Sequence, residues 1–195
     1  MSRQHRGVTI IHRSTYKSSK ISSLHQVKTF ECVCNRLNAN RDGDFVVASI
    51  YRLGSAVVTR EFFTELTTFL EALVTYRCPV ILLGDFNIHT VIADDVHATE
   101  LIDLMTSFNM SQHVKEATHN AGGCIDLIFT RSECRVTRVT VSEVGLSDHC
   151  FVTCGVPVRR SEITATPIEG RRWKQFSIDV LKADLANMVL CKDLS

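Results

Sequence analysis

The chain has 195 residues and a formal charge of +1, because 22 lysines and arginines face 21 acidic residues. This balance excludes the strongly basic, histone-like class of nucleic-acid binders. Hydrophobic residues make up 45% and charged residues 22%, which is typical of a globular protein and excludes disordered and collagen-like chains. No apolar run approaches the roughly 18 residues that span a bilayer, and the first residues lack the apolar core of a secretory signal. We therefore expect no membrane partner and an intracellular, reducing compartment, the cytoplasm or the nucleus.

Charge is unevenly distributed along the chain. Residues 1–30 carry six basic residues and no acidic one, whereas residues 85–110 carry five acidic residues and no lysine or arginine. Basic edges beside an acidic segment are expected of a protein that holds a polyanion next to a bound cation, and equally of ordinary solvated faces. Charge alone leaves both interpretations open.

The eight cysteines are predicted to be reduced. The close pairs, Cys32 with Cys34 and Cys150 with Cys154, lack the repeated two-residue spacing that is typical of structural zinc sites. We expect these side chains to act as small buried hydrophobic groups.

Secondary structure is predicted from the periodicity of the apolar residues. Segments rich in β-branched residues predict seven strands, and apolar residues spaced by three and four predict three helices. The predicted strands are 8–12, 27–37, 45–51, 79–83, 125–130, 136–141 and 151–156, and the predicted helices are 59–76, 98–108 and 177–190. Strands and helices in this mixed order indicate the layers of an α/β or α+β fold.

The chain is predicted to divide near residue 158. Residues after this point combine charges with a Thr-Pro pair and Gly170, a composition typical of a linker. We therefore expect a domain over residues 1–158, followed by a linker and helical tail over residues 159–195 that leads towards a further region.

The sharpest local pattern follows the predicted strand 79–83. An apolar run ends at Gly84 and is followed by Asp85, Phe86 and Asn87. In extended backbone alternate residues share a face, so we expect Asp85 and Asn87 to point together while Phe86 turns into the core. Asp85 is then able to accept a proton from water, and the Asn87 amide is able to donate to a phosphate oxygen. A polar turn that merely closes a strand explains the same residues.

Three further polar residues are candidates for the same chemistry. Asp148 and His149 are adjacent in a predicted loop, where Asp148 could bind a hard cation and His149 could donate to a phosphoryl oxygen. Asp126 interrupts an apolar strand, and a carboxylate placed there needs a partner. A histidine in that role would be held in one tautomer. A buried structural hydrogen bond is the alternative for Asp126.

Three motifs in this order resemble the endonuclease/exonuclease/phosphatase family. They are Gly-Asp-Phe-Asn at 84–87, Gly-Cys-Ile-Asp-Leu-Ile at 123–128 and Ser-Asp-His at 147–149. Within the family, the sequence looks most like the apurinic-type endonuclease domain of non-LTR (LINE-like) retrotransposon polyproteins, which segments 7–13 and 50–52 also resemble. Residues 172–176 are similar to the stretch that leads towards the reverse transcriptase.

The resemblance implies a fold and an activity. The implied fold is a four-layer α/β (α+β) sandwich, in which two packed mixed sheets are flanked by helices. The implied activity is magnesium-dependent hydrolysis of phosphodiester bonds, with Mn²⁺ as an alternative cation, by a DNA endonuclease that nicks a retrotransposon target. We expect a monomer that was originally linked to a downstream reverse transcriptase region.

The resemblance also implies roles for single residues. Asp85 would orient or deprotonate the attacking water, and Asn87 would stabilise the transition state at the phosphate. His149 would bind the scissile phosphate and would be oriented by Asp126. Asp148 would help to hold the metal.

Tyr51 would contact the phosphate or the leaving group. The family also has an Asn and a metal-binding Glu on strands upstream of the segment that matches residues 7–13. We therefore expect a domain that is truncated at its N-terminus and lacks its first strands.

Two other hypotheses are a catalytically dead fragment that at most binds nucleic acid, and a phosphatase of small phosphoesters.

Overall fold

A six-stranded mixed β-sheet forms the centre of the fold in our computed structural model, which describes residues 7–22, 27–39, 43–90, 95–157 and 177–187. Its strands are β1 Lys17–Lys20, β2 Glu31–Asn38, β3 Asp44–Tyr51, β4 Val80–Asp85, β5 Met110–Gln112 and β6 Asp126–Arg131. Their spatial order is β1-β2-β3-β4-β6-β5. A second sheet pairs two antiparallel strands, β7 Thr137–Ser142 and β8 Phe151–Gly155.

The large sheet combines parallel and antiparallel pairs. Strands β3 and β4 are parallel, and helix α1, Arg60–Val74, connects them. The four other described ladders of this sheet are antiparallel. The mixed sheet, the second sheet and the helices confirm the predicted fold class, a sandwich of the α/β (α+β) type.

Helix α1 begins directly after the predicted cap, whereas the second helix, predicted at 98–108, begins earlier, at Val96. The hydroxyl of Thr59 accepts a hydrogen bond from the N–H of Phe62 and caps α1. Helix α2, Val96–Ser107, is capped by Asp95, whose carboxylate accepts from two backbone N–H groups. Helix α3, Ile178–Asn187, confirms part of the helix predicted at 177–190, of which the last three residues lie outside the described residues.

The main core lies between helices α1 and α2 and one face of the large sheet. The apolar residues of α1 that are spaced by three and four are buried as predicted, and burial of each such side chain contributes about 1.5–3 kcal/mol; they are Phe62, Leu66, Phe69, Leu70 and Leu73, and Phe63, which was not predicted, is buried with them. Alternate residues of β3 and β4, such as Ala48 and Leu82, belong to the same core. The other face of this sheet carries a smaller cluster of Leu37, Phe45 and Ile81. Asp85, at the end of β4, has the same parity as Ile81, so the candidate site lies at the end of this second face.

The first predicted strand is wrong. Residues 8–12 form no strand, and Ile11 is 90% exposed. A strand requires a partner, and β2 pairs along its free edge with the polar segment Lys17–Lys20 instead. β-propensity therefore misplaced this edge strand, because edge pairing depends on which segment reaches the neighbour and not on hydrophobicity. The short edge strand β5 was also not predicted.

The cysteines of the described residues are free thiols. Cys34 and Cys124 are buried, as predicted, whereas the five other described cysteines are only partly buried. Burial, with a smaller contribution from Cys32, raises the pKa of Cys34 to about 12, so this group stays an uncharged thiol. Within the part of the chain that the structure describes, no helix has the length and apolar character needed to cross a membrane.

The chain divides into two units, Met1–Ser161 and Glu162–Ser195. The first unit contains both sheets with α1 and α2, and the second contains α3. The predicted linker and the tail motif at 172–176 lie outside the described residues.

Candidate active site

Three predicted site residues lie side by side across the large sheet. Tyr51 at the end of β3 is the register partner of Asp85 at the end of β4, and Asp85 is the partner of Asp126 at the start of β6. Residues paired in this way have their side chains on one face, and neighbouring strands are about 4.8 Å apart. Strand pairing therefore brings together two carboxylates that are distant in the sequence.

The turn after β4 joins Asp85 to Asn87. The N–H of Asn87 donates to Asp85 Oδ1 at 3.0 Å, and its amide Nδ2 donates to Oδ2 at 2.8 Å. Phe86 between them is fully buried, as predicted. The backbone is not extended here, however, because Asn87 has a φ of 48°. The expected extended geometry was therefore wrong: the side chains meet because asparagine tolerates the left-handed conformation of a tight turn.

Gly84 permits the close approach of strands β3 and β4 before this turn. Its φ is 144°, and a Cβ at this position would lie 1.9 Å from the carbonyl oxygen of Ile50. Since this oxygen belongs to the backbone of the neighbouring strand, it cannot move aside cheaply. Glycine is thus required at the position that aims Asp85.

Arg52 holds the turn from inside the protein. It is 3% exposed, and its guanidinium donates to the carbonyls of Phe86, Asn87 and Ala56, each at 2.7 Å. In return, the Arg52 carbonyl accepts from Asn87 Nδ2 at 2.7 Å. Both N–H bonds of the Asn87 amide are therefore engaged, one by Arg52 and one by Asp85. Asn87 therefore fixes the orientation of the Asp85 carboxylate before any substrate binds.

His149 is paired with Asp126. Its Nδ1 lies 2.9 Å from Asp126 Oδ2. An ionised carboxylate only accepts hydrogen bonds, so Nδ1 carries the proton and Nε2 is left for another partner. Thr118 fixes the carboxylate's position, because its buried hydroxyl accepts from the N–H groups of Ile125 and Asp126 at 3.1 and 3.0 Å.

Asp148 stands beside this pair. Its side chain is 68% exposed, and His119 Nε2 lies 3.2 Å from its Oδ2. The imidazole rings of His119 and His149 are perpendicular, with their centroids 4.9 Å apart. Within the described residues, the hydrogen bonds that join these side chains do not include Tyr51, which is placed at the site by strand register alone.

The electrostatics of the site shift three pKa values. Burial and then the charge of Asp126 raise the pKa of Asp85, against the hydrogen bonds from Asn87. Burial alone would lower the pKa of His149, but the hydrogen bond and charge of Asp126, with smaller contributions from Asp85 and Asp148, outweigh it and raise this pKa. The pKa of Asp148 is lowered, mainly by a hydrogen bond from its own backbone and also by His119. Asp85 is thus a stronger base than an ordinary aspartate, and His149 keeps its proton to higher pH.

The donor atoms fit a hard divalent cation. Asp85, Asp126 and His149 have donor atoms within 4.8 Å of one another, and so do His119, Asp148 and His149. Mg²⁺ prefers oxygen ligands and is commonly held by one or two carboxylates together with water and substrate oxygens. The adjacent carboxylates of Asp85 and Asp126 repel each other, and a nearby cation would relieve this repulsion.

The prediction from sequence missed Arg52 and His119. Arg52 directly follows Tyr51, but no pattern in the sequence marks an arginine that will be buried. His119 lies just before the motif at 123–128, and its position beside Asp148 depends on a pairing between distant segments, His119 with His149. Neither contact has a local signal.

A comparison with known protein families assigns the chain to one of them. The family model described as endonuclease-reverse transcriptase matches residues 45–153, which is more than half of the chain. The chain belongs to this endonuclease/exonuclease/phosphatase family. The family assignment confirms the resemblance seen in the motifs, and it makes the chain a relative of hydrolytic nucleases and phosphatases. Among curated proteins, none matches the sequence significantly.

Solved structures of the family share the fold. The endonuclease domain of TRAS1, a telomere-specific non-LTR retrotransposon, superposes with a TM-score of 0.60 at 14% identity, over 74% of this chain and 69% of that one. The inositol polyphosphate 5-phosphatase domain of SPsynaptojanin superposes with a TM-score of 0.50 at 14% identity, over 73% of this chain and 56% of that one. The chain thus spans little more than half the length of the second structure, and at these identities the similarity shows the fold alone.

Proposed function

We propose that this family member is a divalent-cation-dependent phosphodiesterase that nicks DNA, as the endonuclease of a non-LTR retrotransposon. The observation that carries the proposal is the convergence of two carboxylate-centred pairs, Asp85 with Asn87 and Asp126 with His149, at one end of the sheet. An anchored base next to an anchored proton donor is the arrangement that phosphodiester hydrolysis needs.

Asp85 acts on the attacking water. Its carboxylate is held by two hydrogen bonds from Asn87, and its raised pKa suits a group that accepts a proton near neutral pH. Asn87 holds the two carboxylate oxygens of Asp85 in a single orientation. Its amide reaches the phosphate by exchanging its hydrogen bond to Asp85 for one to a non-bridging oxygen. Arg52 prevents the turn from relaxing during this exchange.

His149 acts on the phosphate. Asp126 binds Nδ1, so the imidazole presents Nε2 to the substrate, and the raised pKa favours the protonated ring that donates to a phosphoryl oxygen. Tyr51, in the same row of the sheet as Asp85, contacts the phosphate or the leaving group. Together these groups offset the negative charge that develops at the phosphorus.

Asp148 is the residue that would hold a Mg²⁺ or Mn²⁺ ion, together with the neighbouring carboxylates. A bound divalent cation would neutralise charge on the phosphate oxygens. The donor set supports this assignment because Asp148 keeps a largely exposed, ionised carboxylate next to His149.

A plasmid-nicking assay with the full chain tests the proposal. We expect supercoiled DNA to be converted to the open circle in Mg²⁺ or Mn²⁺ but not in EDTA. Asp85→Asn and His149→Ala should each reduce the rate by about 10²–10⁴-fold, which is the usual contribution of a general acid or base. Asp103→Asn on the exposed side of α2 and His12→Ala, also exposed, are matched controls that should nick like the wild type.

Three outcomes contradict the proposal in different ways. Nicking that survives in both Asp85→Asn and His149→Ala removes the assignment of the site. Salt-sensitive DNA binding without any nicking supports instead the catalytically dead fragment. Hydrolysis of soluble phosphomonoesters without DNA cleavage supports the small-phosphoester phosphatase.

We also propose the domain arrangement expected from sequence, with the nuclease in residues 1–158 and a linker and helical tail in residues 159–195 that lead to a reverse transcriptase region. The description of the matching family as endonuclease-reverse transcriptase supports such a linkage.

A further inference from the structure

His119 occupies a fixed place between two segments of the site. Its N–H and that of Thr118 both donate to the carbonyl of Gly123, at 3.0 and 2.9 Å. The segment also pairs with the loop that carries Asp148, since the N–H of Asn120 donates to the Asp148 carbonyl at 2.9 Å. These backbone hydrogen bonds do not involve the His119 side chain.

Hydrogen bonding determines the tautomer of His119. The backbone N–H of Ala121 lies 3.0 Å from His119 Nδ1. A backbone N–H only donates, so Nδ1 is unprotonated and the proton of the neutral ring is on Nε2. Nε2 faces Asp148 Oδ2 at 3.2 Å and donates to it. Both ring nitrogens are thus engaged, and His119 donates a hydrogen bond to Asp148.

Asp148 depends on this bond for its orientation. Its side chain is 68% exposed and is otherwise restrained by a hydrogen bond from its own backbone, so the bond from His119 further limits the orientations that rotamer entropy favours. His119 binds Oδ2 of this carboxylate at 3.2 Å, which fixes the rotation of the carboxylate plane. His119 is 24% exposed in its side chain, much less than Asp148, and is the more rigid member of the pair.

We infer that His119 is a positioning residue that holds the Asp148 carboxylate in the orientation in which it binds the divalent cation. The inference rests on the proposed function, since it assigns a role in the same site. A partner of this kind fixes one carboxylate oxygen and presents the other, and removing such a partner commonly weakens metal binding about 10- to 100-fold.

Substitutions at His119 show whether its imidazole acts as a hydrogen-bond donor to Asp148 or as a ligand of the metal. His119→Gln places an amide nitrogen near the position of Nε2 and keeps the donor. His119→Asn is a matched variant whose shorter amide does not reach Asp148, and His119→Ala removes the group. The backbone pairing through Thr118 and Asn120 is unchanged in all three, so we expect their unfolding transitions to stay close to that of the wild type.

The first measurement is the binding of Mn²⁺ to the full chain without DNA, followed by the loss of the free-ion signal in electron paramagnetic resonance. We expect His119→Ala and His119→Asn to weaken Mn²⁺ binding by about tenfold and His119→Gln to restore most of it. The second measurement is nicking against Mg²⁺ concentration. His119→Ala should raise the half-saturating Mg²⁺ concentration by about the same factor and change the rate at saturating Mg²⁺ and the KM for DNA by less than about twofold.

The results distinguish this inference from the proposed function. If His119→Gln binds Mn²⁺ as weakly as His119→Ala, the imidazole is a ligand or a structural group and the inference is wrong. If His119→Ala binds Mn²⁺ like the wild type but nicks slowly at every Mg²⁺ concentration, His119 acts on the substrate and the inference is also wrong. If the wild type and the His119 variants bind Mn²⁺ with the expected order of affinities but the wild type nicks no DNA, the proposed function fails and the positioning role stands.

Discussion

Replacement of Arg52 by methionine tests how strongly the buried guanidinium holds the candidate site. Arg52→Met removes three hydrogen bonds from a charged donor to the carbonyls of Phe86, Asn87 and Ala56. Each such bond contributes about 1.5–3 kcal/mol, and three of them set an upper limit because neighbouring contributions are not additive. Methionine is apolar and of similar length, but it loses the contact of the guanidinium with the Phe62 ring, whose centroid lies 5.8 Å away. We therefore expect a loss of about 3–5 kcal/mol in the free energy of unfolding, a large fraction of the about 5–15 kcal/mol of a typical domain.

The same substitution should impair catalysis beyond its effect on stability. Without Arg52 the carbonyls of the turn lose their donors, so Asn87 no longer holds Asp85 in one orientation. We expect the nicking rate per folded molecule to fall by about 10²-fold, which is the usual cost of a small misplacement of a reacting group. Urea denaturation followed by circular dichroism gives the free energy of unfolding, and nicking is measured well below the midpoint of that transition.

Arg131→Met is the matched control for this experiment. Arg131 is also largely buried, and its guanidinium donates to the carbonyls of Leu73, Val74 and Tyr76 at the end of α1. The substitution Arg131→Met should lower the free energy of unfolding and leave the nicking rate per folded molecule unchanged. The reasoning is refuted if the free energy of unfolding of Arg52→Met lies within about 1 kcal/mol of the wild-type value. It is also refuted if the two variants have the same nicking rate per folded molecule.

Three more predictions concern pH and packing. Asp126→Asn removes the charge that helps to outweigh burial and raise the pKa of His149, and it leaves only a weaker, neutral acceptor for Nδ1, so the alkaline limb of the nicking rate, where His149 loses its proton, should move to lower pH. Gly54→Ala places a Cβ 2.6 Å from Asn87 Oδ1, so the rate should fall about 10- to 100-fold with little change in the free energy of unfolding. Burial alone would raise the pKa of Glu65, but hydrogen bonds from residues 28 and 29 outweigh it and lower this pKa. The stabilisation is therefore present above the unfolded-state pKa and is lost as pH falls through the folded-state pKa, so Glu65→Gln should flatten the acid side of a plot of unfolding free energy against pH.

Each of these predictions has a control. An unchanged alkaline limb in Asp126→Asn contradicts the pairing of Asp126 with His149. Gly7→Ala adds a Cβ that meets nothing within 4 Å and should leave the nicking rate unchanged. Glu71→Gln, an exposed change on the same helix as Glu65, should keep the wild-type dependence of stability on pH. If Glu71→Gln and Glu65→Gln have the same effect, the hydrogen bonds of Glu65 do not matter for acid stability.

Helix α1 and strand β4 show what local pattern is able to predict. The spacing of apolar residues in α1 and the cap at Thr59 specify a helix and its buried face before any tertiary contact is known. The apolar run that ends at Gly84 likewise predicts a buried strand and the turn after it. In contrast, edge strands β1 and β5 have little apolar content, and their pairing depends on neighbours that local sequence does not reveal.

The sequence by itself determined the fold class, the family and the residue types from which the site is built, because hydrophobic periodicity and the three motifs are local features of the chain. Only the tertiary structure decided which of these residues meet. Strand register puts Asp85 beside Asp126, a left-handed turn folds Asn87 back onto Asp85, and distant segments supply the buried Arg52 and the donor His119. Apart from the turn of Asn87 onto Asp85, these contacts join residues far apart in the chain, and their geometry follows from how strands pair and side chains pack, which no short stretch of sequence encodes.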